Sequence, residues 1–121
     1  MRIQAVVALL ASLILATSPA LAAAPKSLPA AMVGGAKPGM KYGDVRTRLL
    51  RAGFKPVARA KDEFCGYNDQ CKLPETEACA GTGEAYCTYR FSKGGRAFQV
   101  TGRYGENGPL SQEVVIIELA Q

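Results

Sequence analysis

The spacing of apolar residues predicts one helix in the first half of the chain. Tyr42, Val45 and Leu49 recur at helical intervals, which places them in one apolar stripe. The periodic pattern stops at Gly53, because glycine accepts the left-handed conformation found at helix ends. Pro56 follows and cannot continue a helix. We therefore expect a short amphipathic helix that packs on another element.

Alternation of apolar and polar residues predicts two strands joined by a tight turn. The alternation runs through residues 86–93 and again through residues 96–103, and a period of two is typical of half-buried strands. Gly94 and Gly95 lie between the two runs and favour a two-residue hairpin, because glycine accepts positive φ. Cys87, Tyr89 and Phe91 lie on one face of the first run, and Phe98 and Val100 lie on one face of the second.

Two further segments have strand character. Residues 113–119 contain the run Val-Val-Ile-Ile, whose β-branched side chains favour a strand covered on both faces. Residues 54–59 are a weaker candidate, because Pro56 confines a strand to a sheet edge. The predicted fold class is α+β, with one N-terminal amphipathic helix packed on a three- or four-stranded antiparallel sheet.

Four cysteines mark the segment between the helix and the hairpin. Cys65, Cys71 and Cys79 lie within residues 62–84, and Cys87 follows directly. A loop of this length is uncommon in a compact domain, so we expect disulfides to restrain it. Three connectivities exist for four cysteines. The sequential one, Cys65–Cys71 with Cys79–Cys87, is favoured, and the nested one, Cys65–Cys87 with Cys71–Cys79, stays open.

The first residues have the three-part pattern of a secretory signal peptide. Arg2 precedes the apolar residues 3–16, and a small-x-small sequence ends at Ala22, as at a cleavage site. The apolar run is shorter than the ~20 residues of a membrane span. We therefore expect cleavage near Ala22 and a mature protein without a membrane span, in a bacterial periplasm or secreted. An uncleaved N-terminal anchor is the alternative.

The predicted organisation is a signal peptide (1–22), a flexible leader (23–38) and one small α+β domain (39–121), within which 62–84 form the cysteine loop. The leader is rich in Ala, Pro and Gly without periodicity, a composition typical of linkers. Disulfides are common where an oxidising compartment and a small core coincide, which agrees with the cysteine loop.

Charge is unevenly distributed along the chain. The whole sequence has 15 basic and 10 acidic residues, a net charge of +5, whereas residues 62–84 hold six acidic residues and one basic residue. This pattern fits a solvated surface, or a two-signed face that binds a protein or an anionic envelope polymer. The export signal and the lack of a nucleic-acid motif exclude nucleic acid as a partner. The candidate binding residues are Arg46, Arg48, Arg51, Asp69, Glu75 and Glu77.

The residue types that carry common enzyme chemistry are scarce. The chain has no histidine, which removes the usual general base near neutral pH and the commonest zinc ligand. The cysteine gaps do not follow the C-x2-C spacing of zinc sites or of dithiol oxidoreductases. Nothing selects Glu75 and Glu77 as a glycosidase pair. We therefore expect no catalytic residue, no metal site and no cofactor.

Two stretches resemble known groups of proteins. The residues from Pro38-Gly39-Met40 to Gly53-Phe54 resemble the opening helix of small bacterial exported domains. These include the β-lactamase-inhibitor-like proteins and the small lipoprotein of the outer-membrane assembly machine. That resemblance covers about a sixth of the chain and implies a helical hairpin, or a helix on an antiparallel sheet, with a role in protein binding. The lipid-anchor cysteine of the lipoprotein has no counterpart here.

A second resemblance lies in the cysteine loop and the first hairpin. Pro74-Glu75, Cys79-x-Gly81-Thr82-Gly83, Cys87-x-Tyr89-x-Phe91 and Gly94-Gly95-Arg96 resemble a set of small uncharacterised secreted proteins of proteobacteria. This resemblance implies a fold and a location and no activity.

The leading hypothesis is an exported, disulfide-stabilised, non-enzymatic domain that binds a protein or an envelope component. Such a binding domain would act as an inhibitor, an immunity protein or an assembly accessory. A thiol–disulfide redox protein is the alternative from another class, and an envelope-structural or stress protein is a third. The sequence assigns no oligomeric state.

Overall fold

The structure is a computed structural model that describes residues 26–60, 63–66, 71–81 and 83–120. Among these residues lie one α-helix and a five-stranded sheet in which every pairing is antiparallel. The α+β class is therefore confirmed, with more strands than predicted. The elements are α1 (Tyr42–Arg51), β1 (Lys55–Pro56), β2 (Thr76–Cys79), β3 (Cys87–Lys93), β4 (Arg96–Arg103) and β5 (Glu113–Leu119), with short 3-10 helices at Ala30–Val33 and Pro109–Ser111.

The sheet is built around the β3–β4 hairpin. Strand β4 pairs with β3 on one side and with β5 on the other. Strands β1 and β2 share the remaining edge of β3: β1 pairs with its C-terminal end and β2 with its N-terminal end. The predicted hairpin is confirmed, because Lys93 pairs with Arg96 across two glycines of positive φ.

One face of the sheet carries the core, as the alternation predicts. Tyr89 lies opposite Val100 and Phe91 opposite Phe98, and all four side chains are buried together with Cys87. The helix contributes Tyr42, Val45 and Leu49, its three buried residues, to the same core. Val114 and Ile117 of β5 are also buried there.

The segment before the helix corrects the prediction of a flexible leader. Of residues 23–38, those from Lys26 onwards lie in the described part of the chain, and they are packed: Val33 and Ala36 are buried in the core. The Leu28 N–H donates to the Ile117 carbonyl at 2.8 Å, and the Gly39 N–H donates to the Val114 carbonyl at 2.7 Å. The physical reason is that β5 would otherwise expose an unpaired edge, which this irregular segment covers.

The cysteine loop also differs from the prediction. Residues 76–79 of the segment 62–84 form β2, which pairs with β3, so this part is sheet. The structure links Cys65 to Cys71 and Cys79 to Cys87, which is the sequential arrangement. Cys79 and Cys87 are directly opposite each other in the β2–β3 pairing, so the second disulfide joins two neighbouring strands.

No helix in the described ranges has the length and apolar character needed to cross a membrane. The expected signal peptide lies outside these ranges, since description begins at Lys26.

Close packing of the N-terminal segment on the helix can be tested at Gly34. This residue has a φ of +66°, and an added Cβ would lie 2.7 Å from the Arg48 carbonyl oxygen. Gly34→Ala should therefore combine backbone strain with a steric clash. We expect it to lower the free energy of unfolding by about 2–4 kcal/mol, from about 1 kcal/mol of strain and 1–3 of overpacking.

Gly39→Ala is the matched control, because Gly39 also has a positive φ and an added Cβ there meets nothing within 4 Å. It should cost only the strain, about 1 kcal/mol. Guanidinium unfolding of both variants measures the difference. Equal losses would show that Gly34 is not held against the helix.

Candidate functional site

Of the six residues predicted to form a binding surface, the five that the structure describes lie in different environments. Arg48 and Arg51 are exposed on α1, and neither makes an ion pair with a described residue. Arg46 is half-buried and turned toward the sheet. Asp69 lies outside the described residues. The remaining two, Glu75 and Glu77, are each engaged by an arginine.

Glu75 corrects the expectation of a surface acid, because its side chain is fully buried. Its Oε1 accepts a hydrogen bond from the Tyr42 hydroxyl at 2.9 Å and another from Arg46 Nε. A buried carboxylate is strongly disfavoured unless it is paired and hydrogen-bonded, and the helix supplies both partners. Glu75 is therefore a structural residue that joins the start of β2 to α1.

The polar contacts continue from Glu75 toward the disulfide through two tyrosines. The rings of Tyr42 and Tyr89 stack with their centroids 3.8 Å apart. The Tyr89 hydroxyl donates to Gln112 Oε1. Gln112 is buried, and its Nε2 donates to Cys87 Sγ at 3.2 Å. We call Tyr42, Arg46, Glu75, Tyr89 and Gln112 the buried polar network.

Burial sets the electrostatics of this network. Loss of solvent raises the pKa of both Tyr42 and Tyr89 above the ordinary value of 10.0, and the charge of Glu75 raises both further. The hydrogen bond to Glu75 likewise raises the pKa of Arg46. The phenols are therefore neutral hydrogen-bond donors and the guanidinium is charged at any ordinary pH.

Three partly exposed acids form ion pairs with arginines of the sheet. Glu77 contacts Arg90 Nε at 2.8 Å. Glu84 and Glu113 both contact Arg103, at 3.2 and 3.5 Å. These three carboxylates are therefore not available as the acidic part of the expected two-signed face. A cavity of about 90 Å³ lies beside Glu77 and is below the ~300 Å³ at which ligand pockets begin. It is lined by Val57, Ala58, Arg59, Glu63, Glu75, Glu77 and Arg90.

Three further basic residues, which the sequence analysis did not select, lie on β1 and beside the hairpin turn. Lys93 Nζ donates to the carbonyl of Ala52, directly after α1, at 2.7 Å. Lys55 pairs with Ser92, and Arg96 pairs with Lys93 across the hairpin turn. The end of the helix and the tip of the hairpin therefore meet. We call Arg48, Arg51, Lys55, Lys93 and Arg96 the basic end.

No described acid forms an ion pair with any residue of the basic end. The signal that could have found it is the predicted topology, since the hairpin turn and the helix C-terminus were both located correctly. The sequence did not indicate that β1, which follows the helix, pairs with β3 beside the hairpin turn. The basic end is the candidate functional site.

Comparison of the chain with protein-family models, with curated proteins and with solved structures found no match. The two resemblances to groups of exported proteins therefore stay predictions.

The buried ion pair leads to a stability prediction. Glu75→Gln leaves Arg46 without its charged partner, so the free energy of unfolding should fall by about 2–4 kcal/mol. Glu77→Gln is the control, because its pair with Arg90 is partly exposed and should contribute at most about 1 kcal/mol. Chemical unfolding at pH 7 compares the two. Equal effects would contradict a special role for Glu75.

The raised tyrosine pKa values predict loss of stability in alkali. The unfolded phenols ionise near pH 10, whereas the folded ones keep their protons to higher pH. Their contribution is therefore complete below about pH 10 and is lost as the pH rises toward the folded values. We expect the free energy of unfolding to fall steadily above pH 10.

Tyr42→Phe should make this fall shallower, because one of the two buried phenols no longer titrates. Tyr86→Phe is the control, since Tyr86 is exposed and lies outside the network. Unfolding measured between pH 8 and pH 12 gives the slopes. If the Tyr42→Phe protein kept the wild-type slope, the alkaline transition would have another origin.

Proposed function

We propose that the protein is an exported, non-enzymatic binding domain that holds a negatively charged envelope component, a protein surface or a polymer, at the basic end. One observation carries the proposal. Arg46, Arg90 and Arg103 neutralise four described acids, which are Glu75, Glu77, Glu84 and Glu113. The five bases of the basic end have no ion-pair partner among the described residues. Five of the ten described bases that form no ion pair therefore belong to the basic end, where they can act on a partner.

The shape of the basic end supports a surface contact. Its charges come from α1, β1 and both sides of the hairpin turn, so they spread over an area. Leu50, which is 38% exposed on the same helix, adds an apolar side chain beside them. The cavity lined by Asp44, Thr47, Arg48 and Arg51 has a volume of about 240 Å³, below the ~300 Å³ at which ligand pockets begin. The spread of cations therefore suits an extended anionic surface better than a small substrate.

Export is supported by two independent features. Residues 1–22 have the pattern of a cleaved secretory signal. The two disulfides suit an oxidising compartment, where they form and persist.

Binding of the purified protein to an envelope fraction tests the proposal. Arg48→Glu with Arg51→Glu should weaken binding at least tenfold at low salt, because exposed charges act mainly through long-range attraction. Raising the salt should reduce wild-type binding and shrink the difference between the proteins.

The control is Lys26→Glu with Lys72→Glu, which changes the net charge equally at exposed positions away from the basic end. It should bind nearly as well as the wild type. If both double variants lost binding to the same extent, net charge would act without a site. If neither lost binding, the proposal would fail.

A further inference from the structure

The two disulfides lie against each other. The Sγ atoms of Cys65, Cys71 and Cys79 are all within 4.8 Å of one another, although Cys79 is bonded to Cys87 and the other two are bonded together. A sulfur of one disulfide therefore neighbours both sulfurs of the other. A thiolate released from Cys65–Cys71 would form beside an intact disulfide, which is the arrangement that thiol–disulfide exchange requires.

The backbone brings Cys65 especially close to Cys79. The Cys79 N–H donates to the Cys65 carbonyl at 2.7 Å. At Gly66, an added Cβ would lie 2.5 Å from the Cys79 carbonyl oxygen, so the segment is pressed against β2. The Sγ atoms of Cys65 and Cys79 are already within 4.8 Å of each other. A Cys65–Cys79 bond therefore needs little backbone movement.

The exposure of the four cysteines gives the exchange a direction. Cys71 is the most exposed of the four, Cys65 and Cys79 are buried, and Cys87 has no exposed surface. An external thiol reaches Cys71 first. Attack at that sulfur expels Cys65, the cysteine whose backbone is bonded to Cys79.

The buried polar network favours Cys87 as the leaving group. Gln112 Nε2 donates a hydrogen bond to Cys87 Sγ at 3.2 Å, and the Tyr89 hydroxyl holds the opposite atom of the same amide. A donor aimed at a sulfur stabilises its thiolate, and a more stable thiolate leaves faster. Sulfur nucleophile, central sulfur and leaving group are thus all provided by this chain.

We propose that the four cysteines form an internal thiol–disulfide exchange centre, in which attack by a thiol at the surface sulfur of Cys71 leads to a reduced Cys87. An external monothiol attacks Cys71, forms a mixed disulfide with it and releases the Cys65 thiolate. Cys65 then attacks Cys79: the Cys65–Cys79 bond forms, the Cys79–Cys87 bond breaks, and Cys87 leaves as a thiolate that takes up a proton. The second step exchanges one disulfide for another without net oxidation, and the only co-reactant is the thiol.

Cys71→Ser tests the second step without any added thiol, because it leaves Cys65 permanently unpaired. The full-length mature protein is held at pH 8, quenched in acid to stop exchange, digested with an acid protease and mapped by mass spectrometry. We expect a Cys65–Cys79 linked peptide and a Cys87 thiol in a substantial fraction of molecules. Finding only Cys79–Cys87 with a Cys65 thiol would overturn the proposal.

Cys65→Ser is the matched control, because it leaves Cys71 as the unpaired cysteine. It should keep Cys79–Cys87 intact. An equally abundant Cys71–Cys79 peptide in this variant would overturn the assignment of Cys65 as the attacking sulfur. In the Cys71→Ser background, Gln112→Met removes the donor at similar volume and should slow the exchange several-fold. An unchanged rate would remove Gln112 from the mechanism.

Wild-type protein treated with one equivalent of glutathione provides a test that needs no variant to fold. The expected product carries glutathione on Cys71, a Cys65–Cys79 bond and a Cys87 thiol. A product with glutathione on Cys71, a Cys65 thiol and an intact Cys79–Cys87 bond would contradict the exchange.

Discussion

The burial of the Glu75 carboxylate is the constraint on which the arrangement of helix and sheet depends. A carboxylate without exposed surface is stable only where charge and hydrogen-bond donors meet it, and here both come from one turn of α1, through Tyr42 and Arg46. Rotation or sliding of the helix would remove them together. Purely apolar contacts of the helix, at Val45 and Leu49, would tolerate such a shift more easily, since hydrophobic contact is not directional.

The same constraint reaches the disulfides through stacked rings and one amide. Tyr42 lies on Tyr89, Tyr89 holds Gln112, and Gln112 contacts Cys87. Gly102 makes room for this amide, because an added Cβ there would lie 2.6 Å from Gln112 Oε1. Core packing, polar pairing and covalent linkage therefore depend on each other. In a domain this small, apolar burial alone leaves little margin of stability.

Local patterns were predicted correctly, and pairings between distant segments were not. The hairpin followed from alternation around Gly94-Gly95, and the helix from its stripe, because each signal lies within a few neighbouring residues. Residues 26–38 cover the edge of β5, far away in sequence, and irregular pairing leaves no periodicity to detect. Glu75 looked like any loop acid, because its burial depends on an arginine 29 residues away. Of the basic end, the sequence analysis selected only Arg48 and Arg51, because they lie close together on one helix. The strand residues are distant in sequence from that helix or from each other.

The ion pairs on one part of the surface and the unpaired bases on another give the molecule an electric polarity. Near Arg90 and Arg103 positive and negative charges cancel over a few ångströms, so little field extends into solvent. The bases of the basic end form no ion pair with any acid in the described ranges. A protein of this kind is turned by an external field before it makes contact. It would approach a negatively charged wall with the tip of its hairpin first, and the Cys65–Cys71 disulfide, which lies against Cys79 of the neighbouring strand, would face away, with Cys71 open to thiols in solution.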